Sequence, residues 1–148
     1  MSLLYNINQN IEHVWGFYYG GLINSKVMQN FGMIPKKQEI ACLQGYDLEI
    51  SPLMNLVQKQ DKAAYGLLLL LPHQQIEHAY SQLKAKYFSY PVLAQNTEGC
   101  LRPALCYLLL QQKLGEVDKQ YVNNLLEPAI LFGFPGHYID HIRSFLPD

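Results

Sequence analysis

The 148-residue sequence predicts an α+β fold organised around a mixed, curled sheet. Strand-like runs dominate the middle of the chain. Helical patterns are inserted between them or gathered at the end. The two kinds of segment do not alternate regularly, as they would in a doubly wound α/β fold. The length suits one domain that buries a sizeable core. Residues 1–12 read as a polar lead-in and 13–148 as that domain.

The elements follow in order. "HVWGFYY" (His13 to Tyr19) is aromatic and branched, hence a strand. Ser25 is placed to cap a short helix, "KVMQNFG", with Gly32 as its stop. Glu39 to Ser51 reads as one strand broken by a bulge or bend at Gly45. Residues 52–62 are polar and read as a loop. Ala63 to Leu71 is a continuous apolar run ending at Pro72, the pattern of a buried central strand. "HQQIEHAYSQLKAK" places Ile76, Ala79, Tyr80 and Leu83 at helical spacing. "YFSYPVLAQ" is a strand whose Pro91 argues for an edge. "NTEGC" is a turn and "LRPALCYLLLQ" another strand. The chain ends in two helical segments, "YVNNLLEPAILFG" and "HYIDHIRSFLP", separated by Gly-Phe-Pro-Gly.

Composition excludes several classes. Eleven Lys and Arg face twelve Asp and Glu, for a net charge of −1. The densest basic spot is "PKK" at 35–37, so nucleic acid is not an expected partner. The longest apolar stretch falls well short of the ~20 residues a membrane helix needs, and the N-terminus lacks a signal pattern. A membrane is therefore not expected as a partner either. The three cysteines, Cys42, Cys100 and Cys106, have no metal-ligand spacing. Their odd number fits a reducing, cytoplasmic setting.

The most informative stretch is "WGFYYGGLINSKVMQNFGMIP" (Trp15 to Pro35). Gly20-Gly21 ends the first strand. Without Cβ atoms, such a turn can take positive φ and admit a ligand close to the backbone. Successive N–H groups there form an anion-binding concavity, suited to a carboxylate or a developing oxyanion. The alternative is a tight turn that only needs two flexible residues.

These residues, with "EIACLQGYDLEI", "AAYGLLLLLP", "LRPALCYLL" and "NNLLEPAILFGFPGHYIDHI", resemble the gamma-glutamylcyclotransferase-like (AIG2-like) family over about residues 13 to 143. Tyr19 and Gly20 match the first two positions of that family's Tyr-Gly-Ser-Asn-Leu loop. Gly21, Leu22 and Ile23 stand where Ser, Asn and Leu are usual. Gly32 to Pro35 and Leu43-x-Gly45-Tyr46-x-Leu48 also match. The resemblance implies a small, mostly antiparallel barrel-like sheet flanked by helices, with a cavity at one end. It implies release of 5-oxoproline from gamma-glutamyl amides or amines, with no metal or organic cofactor. The Tyr19–Ile23 loop and Tyr107 would then contact the ligand.

That chemistry needs proton transfer between two amines as well as an oxyanion site. In "QQIEHAYSQL" the resemblance puts Gln82 where the family has its catalytic glutamate. A glutamine amide cannot exchange a proton at neutral pH. Substitutes are few. Glu77 is about 140° around the helix from Gln82. His78 lies one turn before it, and Glu98 sits in the "NTEG" turn. His137 and His141, with Asp140 between, have i, i+4 spacing but no acidic partner of the zinc-hydrolase kind. Eleven tyrosines suggest strand packing or a pocket lined by Tyr19, Tyr107 and Tyr65. Tyr138 reads as a packing residue. Three readings follow: an active cyclotransferase-like enzyme; a silent small-ligand binding module; and an interaction protein, which exposure of "PAILFGF" (128–134) would favour.

Overall fold

The computed structural model describes residues 12–83, 85–110 and 115–148. Most of the lead-in, residues 1–11, lies outside the described residues. Five strands close into a barrel in the order β1-β3-β2-β4-β5: β1 His13–Tyr18, β2 Lys37–Ile50, β3 Met54–Pro72, β4 Tyr87–Asn96 and β5 Leu101–Leu109. Helices α1 Ser25–Asn30, α2 His73–Ser81, α3 Lys119–Leu131 and α4 Gly136–Arg143 flank it. The α+β class and the barrel-like sheet are as the sequence predicts. The sheet is antiparallel except where β1 meets β5 in parallel, with Gly16 opposite Leu105 and Phe17 opposite Cys106. That pairing closes the ring and removes an open edge.

β3 is central because its apolar run is covered on both faces. Leu67, Leu68, Leu69 and Leu71 are fully buried, while the strand pairs β1 on one side and β2 on the other. Gly66 is what lets β1 approach: a Cβ there would stand 2.1 Å from the Tyr18 carbonyl oxygen.

The sequence reading needs correction at residues 52–62. Only a short turn separates β2 from β3, which begins at Met54. Met54 and Leu56 are buried opposite Ile50 and Leu48. The polar stretch 58–62 is strand that stands out into solvent, so its polarity reports exposure rather than irregular backbone. The bulge predicted at Gly45 is present: the register slips between Gln44 and Tyr46, and Gly45 takes φ +85°, which favours glycine.

Two boundaries shift. Asn24, not Ser25, caps α1, accepting from the Lys26 N–H at 3.0 Å. Gly32 does follow the helix end, at φ +68°. α2 stops at Ser81 and leaves Gln82 as its C-cap. Pro91 has the edge-like place expected of it. It lies opposite Leu105 in β5, whereas β4 meets β2 only at Gln95 and Asn96. No helix among the described residues is long and apolar enough to cross a membrane.

Candidate functional site

β1 leads directly into the site. After Tyr18 the chain leaves the barrel, passes Tyr19 and Gly20, and enters a single 3-10 turn at Gly21–Ile23. The Ile23 N–H donates to the Gly20 carbonyl at 3.1 Å, and the Asn24 N–H to the Gly21 carbonyl at 3.0 Å. The N–H groups of Gly21 and Leu22 have no acceptor among the described residues, as expected in the first turn of a helix. Asn24 then ties the turn to α3, its amide donating to the Asn124 carbonyl at 3.0 Å.

The turn forms one wall of a cavity of about 260 Å³. Gly20, Gly21 and Leu22 contribute that wall, and Val27 and Phe31 extend it along α1. Tyr18 and Tyr19 enter from the end of β1, and Met54 from the start of β3. Tyr80 comes from the end of α2 and Leu83 from just beyond it, Tyr87 from β4, and Tyr121 and Asn124 from α3. Positive φ is not how the glycines serve here. Gly20 is extended at φ −111°, ψ −157°, and Gly21 is not among the glycines with positive φ. Their missing Cβ atoms matter instead. At Gly20 a Cβ would meet the Met54 sulfur at 3.2 Å, and at Gly21 it would come no closer than 4.0 Å to Asn124.

The cavity is phenolic. The Tyr19 hydroxyl donates to the Tyr107 carbonyl at 2.6 Å. The Tyr121 hydroxyl accepts from the Met54 N–H at 2.8 Å. Tyr80 packs edge-on against Tyr87 (ring centroids 5.4 Å apart) and stacks on Tyr107 (4.1 Å, 18°). Burial raises the pKa of Tyr18, Tyr19, Tyr80, Tyr87 and Tyr121, each above its ordinary value. These groups are therefore neutral hydroxyls at physiological pH. Cys106, fully buried in β5, is likewise pushed up to about 12 by burial, so it is no thiolate nucleophile.

Of the residues singled out in the sequence, Tyr19, Gly20, Gly21 and Leu22 line the cavity. Ile23 is buried beneath the turn. Tyr107 touches the site indirectly, through its carbonyl to Tyr19 and its ring to Tyr80. Gln82 is exposed at the α2 C-cap and does not line the cavity. The residues around it, Tyr80 and Leu83, do.

The substitute acids lie elsewhere. Glu77 is exposed and 3.5 Å from His73. His78 is exposed. Glu98 lines a different surface cleft with Gln38, Glu39, Asn96 and Phe132. His141 faces the Leu48 carbonyl (2.8 Å) and Asp47 (3.3 Å), while His137 lies edge-on to Tyr65. No group of three metal-ligating side chains occurs among the described residues. In the 128–134 segment Ile130 and Leu131 are exposed, whereas Ala129 and Phe134 are buried. Tyr65 packs against Phe134 and Tyr138 and does not line the cavity.

Sequence reasoning missed Tyr18, Tyr87, Tyr121 and Asn124 as lining residues. Tyr80 and Leu83 carried a signal, since both fall on the apolar stripe that the sequence predicts, although Leu83 lies just past the end of α2. A tyrosine on an otherwise apolar stripe that does not end in a core is a candidate cavity wall. Tyr87 and Tyr121 gave no comparable sign, because only the closed barrel brings their elements together.

The barrel, its flanking helices and the cavity at the end of β1 define a gamma-glutamylcyclotransferase-like fold. Solved structures bear this out. A gamma-glutamyl cyclotransferase superposes with a TM-score of 0.78 at 16% identity, over 93% of this chain and 90% of that one. An uncharacterized human protein gives 0.78 at 15% identity over the same shares. A mouse AIG2-like protein gives 0.55 at 15% identity, over 69% of this chain and 80% of its own. At these identities the likeness establishes the fold. No protein-family model and no curated protein matches the sequence.

Proposed function

We propose that this chain is a small-ligand binding module on a gamma-glutamylcyclotransferase-like barrel, without 5-oxoproline-forming turnover. One observation carries the reading. Among the described residues, the cavity wall holds no carboxylate, imidazole or amine, and its phenols are held neutral by burial. Cyclising a gamma-glutamyl amide requires a proton to leave the attacking amine and another to reach the departing one. None of the described wall residues carries a group that exchanges a proton near neutral pH. Gln82 supports the same reading, being an amide and exposed.

A second reading keeps gamma-glutamyl turnover. It is favoured by the Gly21 and Leu22 N–H groups, which stand in the cavity wall without acceptors among the described residues. They suit an oxyanion.

The test is 5-oxoproline release from gamma-glutamyl amino acids and amines. Wild type, Gln82→Glu and Leu83→Glu would be compared. Silence of wild type supports the binding module. A gain of release in Leu83→Glu would add that the wall is intact and lacks only the acid. Release by wild type that disappears in a cavity-filling Gly21→Trp variant overturns the proposal in favour of turnover.

A further inference from the structure

Four aromatic rings meet in the cavity from four separate places in the chain. Phe31 follows α1, Tyr80 lies in the last turn of α2, Tyr87 opens β4 and Tyr121 belongs to α3. All four are only partly buried, packed against the core while lining the space. Each therefore keeps surface that a ligand can reach, unlike Tyr18 and Tyr19, which are buried at the end of β1. Three of the rings are fixed in place. The Tyr121 hydroxyl accepts from the Met54 N–H at 2.8 Å, and the Tyr87 hydroxyl donates to the Met54 carbonyl at 3.5 Å. One residue at the start of β3 thus anchors two rings. Tyr80 is held by its stack on Tyr107, and its plane stands at 60° to that of Tyr87 with centroids 5.4 Å apart. Two planes at that angle make a corner rather than a slot for a flat body.

With their hydroxyls tied to the backbone of Met54, Tyr87 and Tyr121 offer the cavity their rings. Leucine would serve as well for a merely apolar ligand. An aromatic ring differs from leucine in its quadrupole, whose negative face attracts a cation within about 6 Å of the centroid. Several rings around one point add to this attraction, and such cages hold methylated ammonium groups. Strongly hydrated ions suit the space poorly, because a carboxylate or a primary ammonium sheds tightly held water on entry. A trimethylammonium group carries its charge behind methyl groups and holds water weakly. At about 30 Å³ per water molecule, the 260 Å³ of space equals roughly nine waters, which is room for such a head and a short tail.

We infer that Phe31, Tyr80, Tyr87 and Tyr121 form an aromatic cage for a methylated ammonium group, so that the ligand is a small choline-like cation. This rests on the reading of the cavity as a ligand site and names the chemical class of its ligand. The rings, not the hydroxyls, are then what selects it.

The test is a calorimetric titration of the full chain near neutral pH with three probes: choline, its uncharged isostere 3,3-dimethylbutanol, and gamma-glutamyl methylamide. Choline and the isostere share a shape and differ in charge, so their ratio isolates the attraction of the rings. Choline is expected to bind about tenfold tighter than the isostere. Tyr80→Phe, which keeps the ring, should preserve that ratio. Tyr80→Leu should shrink it several-fold, chiefly by weakening choline, and Gly21→Trp should abolish binding. If Tyr80→Leu fails to fold, the wild-type ratio decides alone. Equal or tighter binding of the isostere overturns the inference while leaving the site reading intact. So does tighter binding of gamma-glutamyl methylamide than of choline, or a folded Tyr80→Leu variant with the full wild-type ratio. If none of the three probes binds, or if choline binding survives Gly21→Trp, the inference and the site reading both fall.

Discussion

Tyr19 shows how one side chain joins barrel and cavity. Its ring lines the cavity while its hydroxyl reaches the backbone of β5 at Tyr107. Tyr19→Phe leaves that buried carbonyl unpaired, and we expect a loss of about 1–3 kcal/mol in a denaturant titration. Gly66 is equally local in cause. Gly66→Ala forces a methyl group against the Tyr18 carbonyl, and a destabilisation on the order of 3 kcal/mol should follow. Glu39 gives a pH signature. Arg102 holds its carboxylate through two hydrogen bonds, at 3.0 and 3.1 Å, and its pKa lies below the ordinary value for that reason. The stability it adds is present above the unfolded-state pKa and fades as pH falls through the folded one. The stability gap between wild type and Glu39→Gln should therefore be widest near neutral pH and close in acid. A gap unchanged across that range would contradict the assignment.

At the scale of elements, the cavity depends on how the 3-10 turn is tied to α3. Asn24 does both jobs there: it caps α1 and donates to the Asn124 carbonyl. Asn24→Ala should cost about 1–2 kcal/mol and loosen the cavity wall, visible as faster amide exchange at Gly21 to Val27. The sequence showed this cap only approximately. Ser25 and Asn24 are adjacent good capping residues, and the choice between them is made by α3, a hundred residues away in the chain. β3 teaches the same lesson. The apolar part of that strand was legible from five consecutive leucines. Its polar first half was not, because residues that stand clear of the barrel have no reason to look like a strand. The Gly45 bulge was legible, since a lone glycine in a strand pattern has few other uses. Tyr80 and Leu83 were visible as one helix stripe, but only tertiary structure shows that the stripe ends in a cavity.

For the molecule as a whole, closure of the barrel gathers tyrosines from β1, α2, β4 and α3 around one space. Their pKa values are raised by burial, so the unfolded chain loses those protons first. Stability should be complete below the ordinary tyrosine value of about 10 and fall as pH rises beyond it. Phenolate absorbance from these residues should then appear together with unfolding, while exposed tyrosines titrate earlier. The fold class and the resemblance to gamma-glutamylcyclotransferase-like proteins were legible in the order of motifs from Tyr19 to Tyr138. The cavity's chemistry was legible in part, through Gly20-Gly21 and the absence of a glutamate at Gln82. Its phenolic lining was not, because it is assembled from elements distant in sequence.

The most direct measurement is amide chemical-shift mapping of isotope-labelled protein during titration with choline and, separately, with its uncharged isostere. A ligand site at the cavity predicts that the perturbed amides cluster at Gly20, Gly21, Leu22, Tyr80 and Leu83. Perturbations confined to the Glu39–Glu98 cleft, or none from either probe at high excess, would contradict it.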